Sequence, residues 1–394
     1  MRTHASAATT CPRAVVSIGT LLGVMATLLM LWPLTPARSE SQIIRVGLRR
    51  EIERIVVMSD RPFVLSAGTA APVRVEPGAY EFTPTLTGVA ATGVGSFDAA
   101  VRLAPADGAR LYLDIHPYRG VVELRRTAAG RLTVINELDL EEYLYGVLKN
   151  EVDPQWPTEA LKAQAVASRT YALYGLSLNR FASEGYDVRP TTEDQVYNGM
   201  ISEDPRTTAA VDETRGEIMT YQGRPIFAAY HSDSGGTTES SELVWGSTYP
   251  YLKAVADPYS AGAPRHEWIV RMDLATFENR VRRSGRMITN VTGIEVVEAT
   301  PSGRAALLRI SGAHGVLLLK GAELRAVLGA ADLRSTLFTV RLVPDDPPQV
   351  EFQGRGSGHG VGLSQWGARG MAEVGRRYQE ILSYYYNGIA FETK

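Results

Sequence analysis

The run Asp139–Tyr171 reads DLEEYLYGVLKNEVDPQWPTEALKAQAVASRTY. It holds an acid, Glu151, in a break between two helical patterns, with Trp156 close by. Asp139 and Glu142 have the spacing of an N-terminal capping box. Behind them Leu140, Leu144 and Val147 recur at i, i+4 and i+7, one face of a helix. Four residues on, that face reaches Glu151, a carboxylate where the pattern calls for an apolar side chain. Partial burial favours the neutral form of such a group. A carboxylic acid that keeps its proton near neutral pH is suited to general-acid catalysis. The plainer alternative is a solvated glutamate at a helix end, or one paired with Lys149.

The elements around this acid follow from periodicity. A first helix is expected over Asp139–Lys149. Pro154 and Pro157 interrupt the chain, and Pro157 suits the first position of a second helix. Leu161, Ala165, Ser168, Ala172 and Leu176 then form a face of mostly small side chains, which permits close packing. Lys162, Gln164 and Arg169 are expected on a solvated face. Thr191–Gly199 reads as a polar loop and Thr207–Thr214 as a helix. Strands follow at Glu217–Tyr221 and Pro225–Tyr230, the second running into the polar, glycine-rich loop His231–Thr237. Glycines at 354, 356, 358, 360 and 362 alternate, which on a strand leaves one face bare for a close approach. His359 lies on the opposite set. Ser364 is expected to open a helix through Ala372, with another over Tyr378–Tyr386.

Residues from Ile43 to about Ile135 are mostly strand, with turn signals such as Ala129-Gly130 between short β-rich runs. Trp268–Leu342 looks like an appended α/β unit, with a strand pair at Ala305–Ile310 and Val316–Leu319 and a helix at Gly321–Leu328 stopped by Gly329. The expected fold is therefore α+β, with a β-rich N-terminal region, a helix-containing catalytic core with glycine-rich loops, and a small α/β insertion. The expected segments are 1–38 (signal peptide or signal anchor), 39–135 (β-rich scaffold or binding region), 136–265 (first part of the catalytic core), 266–346 (the insertion) and 347–394 (second part of the core).

The chain has 394 residues, 44% hydrophobic and 21% charged, with a net charge of −2. No basic run or aromatic-interleaved basic patch occurs, so nucleic acid is not an expected partner. Arg2 and Arg13 precede an uncharged apolar run, Ala14–Leu34, followed by the small-residue sequence Thr35-Pro36-Ala37. The run is long enough to span a bilayer, so retention as an anchor is the alternative to cleavage. Either way Arg38 onward is expected outside the cytoplasm. The single cysteine, Cys11, precedes that run, which excludes a cysteine nucleophile or cysteine-based zinc site in the exported part.

No dinucleotide, P-loop or HExxH pattern is present, and Gly362-Leu363-Ser364-Gln365-Trp366 lacks the second glycine of a nucleophile elbow. His231, His266 and His359 are the one histidine set that could serve a metallohydrolase, against the commoner role of hydrogen-bonded structural residues.

Together, EEYLYGVLKNEVDPQWPTEALKAQAVASRTYAL, DQVYNG, YHSDSGGTTESSELVWGSTYPYL and GRGSGHGVGLSQWGARGMA closely resemble the stage II sporulation protein D and amidase-enhancer family, over roughly Ile43 to Phe391. The resemblance implies a lytic transglycosylase that cuts peptidoglycan glycan strands, preferring strands stripped of stem peptides. It places the catalytic acid at Glu151, the residue the spacing reaches independently. By motif position it makes Trp156, Gln195, Tyr197, His231, Ser234, His359, Gln365 and Trp366 substrate-binding candidates. Family members can hold zinc through a histidine and cysteines near this loop. Here His231 is followed by Ser232-Asp233-Ser234 and no cysteine, so no metal or other cofactor is expected, and Ser234 with its neighbours is expected to hold the loop by hydrogen bonds. The family's other half implies the alternative, a non-catalytic peptidoglycan-binding protein that stimulates an N-acetylmuramoyl-L-alanine amidase.

Overall fold

The structure is a computed structural model that describes residues 42–106, 109–313 and 315–394. The expected signal or anchor lies outside the described residues. Among the described residues no helix is long and apolar enough to cross a membrane.

Two six-stranded antiparallel sheets form the N-terminal region. One runs in the order Ile43–Ile52, Leu132–Asp139, Val121–Arg126, Val101–Pro105, Phe63–Ala67, Val73–Val75. The other runs His116–Tyr118, Leu111–Leu113, Ile55–Ser59, Gly78–Pro84, Val89–Ala91, Gly95–Phe97. Ile55–Ser59 and Phe63–Ala67 alternate buried and half-buried side chains, the period-two signature of strands with one face inward. The inward faces share one core that includes Val57, Phe63, Phe82, Leu103, Val122 and Val134. The strand Leu132–Asp139 ends at the residue that caps the first helix, so this sheet fixes where that helix starts.

That helix, α1 (Leu140–Glu151), opens with the Asp139 carboxylate accepting the Glu141 N–H at 2.8 Å. Its face Leu140, Leu144, Val147 is buried as the spacing requires. Helix α2 (Thr158–Leu178) begins one residue later than expected, with Pro157 as its N-cap, and ends at Asn179 in the left-handed conformation. Ala163, Val166 and Ala167 of α2 pack against Met219, Ile226 and Ala228 in a second core. Helix α3 (Pro205–Glu213) is capped by Asp204. A five-residue helix, α4 (Ser241–Trp245), follows the His231–Thr237 loop.

The α/β unit carries α5 (Leu274–Arg283) and α6 (Gly321–Leu328) beside two three-stranded sheets. In one sheet Gln349–Arg355 is the central strand, between Glu267–Asp273 and Phe338–Val343. Helix α7 (Gln365–Glu373) is capped by the Ser364 hydroxyl, which accepts the Gly367 N–H, and α8 (Tyr378–Tyr385) closes the core before a last strand, Ala390–Thr393.

Two expectations change here. The alternating glycines do not extend a strand beyond Arg355. Gly356, Gly358, Gly360 and Gly362 all have positive φ, and the bare side is filled by the chain itself. A Cβ on Gly358 would meet the His231 Cβ at 2.7 Å, and one on Gly362 would meet the Ala229 carbonyl oxygen at 2.1 Å. The second change concerns α2. Gln164 and Arg169 are buried rather than solvated, because each has a polar partner inside: Ser168 for Gln164 and Glu141 for Arg169. Lys162 is largely covered and pairs with Glu213 at 2.6 Å.

Candidate functional site

Glu151 is the last residue of α1 and is half-buried. Burial raises its pKa above the ordinary carboxylate value and is the largest influence on it. Hydrogen bonds from the Tyr230 side chain, the Val196 backbone and the Gln365 side chain oppose that shift without cancelling it. Among the described residues no cation is paired with it, and Lys149 is exposed. Its place at a helix C-terminus, where the macrodipole is negative, also disfavours an anion. The result is a carboxyl that holds its proton more tightly than a solvated one, yet finds three neutral donors ready when it loses it.

Those donors are themselves held. The Tyr230 hydroxyl accepts from Gln195 Nε2 at 3.1 Å, and the same Nε2 lies 3.3 Å from the Ser168 carbonyl. Tyr143 donates its hydroxyl to Gln195 Oε1 at 3.3 Å. Gln365 Nε2 donates to Gln164 Oε1 at 3.4 Å, and Gln164 Nε2 to the Ser168 hydroxyl at 3.0 Å. Asn150, one residue before the acid, donates to the carbonyls of Gly146 and Val196 and accepts from Asn198 and Ser202. This pins the 195–199 loop beside the end of α1, with the Val196 N–H at Glu151.

The His231–Thr237 loop and the glycine-rich segment ending at Gly362 reach the acid through the residues that flank them. Tyr230-His231 and Leu363-Ser364 form a short parallel ladder, and the Trp366 N–H donates to the Ser232 carbonyl at 3.0 Å. That ladder brings Tyr230 and Gln365 to the same carboxyl. Next to Gln365, Trp366 meets Trp156 edge-on with ring centroids 5.0 Å apart, and the Arg369 guanidinium lies 4.7 Å from the Trp366 ring centre. Trp366 is half-buried and so keeps part of its ring free, whereas Trp156 is nearly covered.

The sequence candidates therefore separate. Glu151, Gln195, Gln365, Trp156 and Trp366 belong to one neighbourhood. Gln195 is 1% exposed and touches the acid's donor rather than open space. Tyr197 is buried against Tyr143 with its hydroxyl given to Asn136 at 2.8 Å. Ser234 is fully buried, donating to Asp257 at 2.7 Å. Both side chains are turned into the protein and hydrogen-bonded there, away from the Glu151 neighbourhood's free ring. Ser234 does hold its loop by hydrogen bonds, accepting the Gly236 N–H as well. His231 is likewise buried, with Nδ1 3.1 Å from the Val361 carbonyl. His359 Nδ1 accepts the Val361 N–H, and burial pushes its pKa down to about 4, while burial holds His231 well below the usual imidazole value. Both rings are neutral near pH 7. His266 instead pairs with Asp233 at 3.0 Å, and among the described residues no three His, Cys, Asp or Glu side chains gather as metal ligands.

Sequence reasoning missed Tyr230, Tyr143, Gln164 and Ser168. Three of them carried a readable signal. Gln164 and Ser168 are i and i+4 on α2, a spacing that puts an amide beside a hydroxyl. Tyr143 lies two turns before Glu151 on the same stripe. Tyr230 was hidden inside a run that reads as an ordinary strand.

A profile described as stage II sporulation protein matches residues 128–221, the stretch that holds α1, α2 and Gln195. A second, described only as a domain of unknown function, matches residues 261–362. The chain is 39% identical to an uncharacterized protein of Brachyspira hyodysenteriae over 66% of its own length and 68% of the relative's. It is 33% identical to stage II sporulation protein D of Bacillus subtilis, over 76% of this chain and 86% of that one. It is 32% identical to the amidase enhancer of Bacillus subtilis over 64% of this chain, spanning 40% of that protein.

Proposed function

The chain belongs to the stage II sporulation protein D family, and from that premise we propose that it is a lytic transglycosylase that cleaves peptidoglycan glycan strands with Glu151 as both acid and base. The observation that carries this reading is the state of Glu151: a carboxyl desolvated at a helix end, with neutral donors and, among the described residues, no cation.

Protonated Glu151 gives its proton to the glycosidic oxygen between N-acetylmuramic acid and N-acetylglucosamine, and the bond to C1 breaks with its electrons on the leaving sugar. The Tyr230 hydroxyl, the Val196 N–H and the Gln365 amide hold the carboxylate as it forms, stabilisation that exists only once charge develops. The carboxylate then takes the proton of the muramic acid 6-hydroxyl, whose oxygen closes on C1. A 1,6-anhydro end results, no water is consumed and Glu151 is protonated again. Most glycoside hydrolases need a second carboxylate across the bond. Asp194, on the loop beside the site, is committed to Arg180 and to the Arg189 N–H, which suits a one-carboxylate mechanism. Trp366, with Trp156 behind it, supplies a ring for a sugar face. The substrate lies outside the cytoplasm, which fits the apolar run Ala14–Leu34 as an export signal or anchor.

The test is to incubate the purified protein with denuded glycan and analyse the products by mass spectrometry. Anhydro ends are expected, and reducing ends would make the protein a hydrolase. The relative named amidase enhancer supports a second reading, a glycan-binding protein that stimulates an amidase. Binding to glycan with faster amidase turnover and no glycan cleavage would select it.

A further inference from the structure

A second run of rings leads away from Glu151, through Tyr230 rather than through Gln365. The Tyr230 ring lies 6.0 Å from Tyr171, whose hydroxyl feels the Glu151 charge. Tyr171 lies 5.8 Å from Phe227, and Phe227 lies 5.2 Å from Tyr174, 5.4 Å from Tyr249 and 5.4 Å from Trp245. Trp245, the last residue of α4, is 38% exposed. The other rings are half-buried, with one side on the core of α2 and the 226–229 segment.

The run is rigid. The Tyr174 and Tyr249 hydroxyls are 3.3 Å apart, the Tyr249 N–H donates to the Ser241 hydroxyl, and Ser241 donates its own N–H to the Leu252 carbonyl. It is also uncharged. At its Trp245 end His359 lies 5.1 Å from the ring, and burial keeps that imidazole neutral, while the charges of Asp194, Arg180 and Glu151 reach only the run's Tyr171 end. Fixed rings with apolar faces and hydroxyl edges match a pyranose, which has a C–H face and a rim of hydroxyls. They offer nothing to a strongly charged peptide or nucleic acid.

We propose that the strip Tyr171–Phe227–Trp245 is an extended subsite for the same glycan strand, holding sugars beyond the bond cut at Glu151. This rests on the transglycosylase reading for the identity of the strand. Continuity supports it, because the strip starts at the residue that hydrogen-bonds the acid. Its consequence is a preference for long strands that resides in binding rather than in the chemical step.

The experiment uses the full chain. Denuded glycan oligomers of increasing length are titrated calorimetrically onto the Glu151→Gln protein, which leaves the oligomer intact, with and without Trp245→Ala. The alanine change is expected to weaken binding of the longest oligomers about tenfold, as for one lost stacking contact, and to leave the shortest unaffected. Trp245→Phe, which keeps a ring, restores most of that loss. Equal affinity for every length with and without Trp245 overturns the proposal. Should the alanine protein fail to fold, the Trp245 peptide of the Glu151→Gln chain is followed by mass spectrometry during indole oxidation. Protection by long oligomers alone supports the strip, and its absence overturns it. Cleavage by the otherwise unaltered protein is scored separately. Anhydro ends at an unchanged KM for long strands in the single Trp245→Ala protein would sink the strip and leave the catalytic reading standing. Length-dependent binding without any cleavage would do the reverse.

Discussion

The two ends of helix α1 hold the same residue type in opposite circumstances. At its first turn Glu141 is 7% exposed and meets a guanidinium. Arg169 Nε and Nη2 reach its two oxygens at 2.8 and 2.7 Å, and the Gly216 N–H adds a third donor at 3.1 Å. A helix N-terminus further favours the anion. At the last turn Glu151 is also drawn out of water, but among the described residues no cation comes with it and the helix end opposes its charge. Burial alone therefore does not make a reactive acid. What separates the structural glutamate from the candidate catalytic one is the missing counter-charge.

The comparison can be broken at either end. Arg169→Ala leaves Glu141 buried and unpaired, and a loss of about 3–5 kcal/mol in urea unfolding is expected. Replacing both partners by apolar residues, Glu141→Leu with Arg169→Met, should recover much of it. At the other end Gln365→Lys would make Glu151 resemble Glu141. A cation there favours the carboxylate, so the pKa of the acid falls and the alkaline limb of the pH–rate profile moves down. Turnover at neutral pH is expected to drop about tenfold, the effect of about one pKa unit on the protonated fraction.

Tyr230→Phe works in the opposite sense on the same limb. Its hydroxyl favours the anion, so removing it raises the pKa of Glu151 and moves the alkaline limb up, while the loss of transition-state stabilisation lowers the maximal rate several-fold, to about a tenth. The smallest effect is on stability. The folded pKa of Glu151 lies above its unfolded value, so its proton favours the fold below the unfolded pKa, and that contribution is lost as pH rises through the folded one. Glu151→Gln should therefore raise Tm at pH 7, with a gain that shrinks as pH falls from the folded pKa towards the unfolded one and is gone below about 4.3. A gain independent of pH would contradict the desolvation of this group.

Much of this was legible beforehand. The stripe Leu140, Leu144, Val147 located α1 and carried the reasoning to Glu151, because periodicity is a local property. The α+β organisation, the helix stopped by Gly329 and the Ser364 cap were readable for the same reason. The partners were not. Arg169 reads as a surface residue until Glu141, 28 positions earlier, folds against it, and Tyr230 meets Glu151 only through the ladder to Leu363. The alternating glycines were legible as a close approach, but not as one made by the His231 segment of the chain itself.

In the proposed reaction one carboxyl, Glu151, carries the proton both ways. Single-turnover cleavage of denuded glycan by the unaltered and Glu151→Gln proteins, both checked for native Tm, tests it most directly. Anhydro products are expected from the first and a rate lower by about 10²–10⁴-fold in the second, the range for a general acid. Cleavage by the Glu151→Gln protein at the unaltered rate would contradict it.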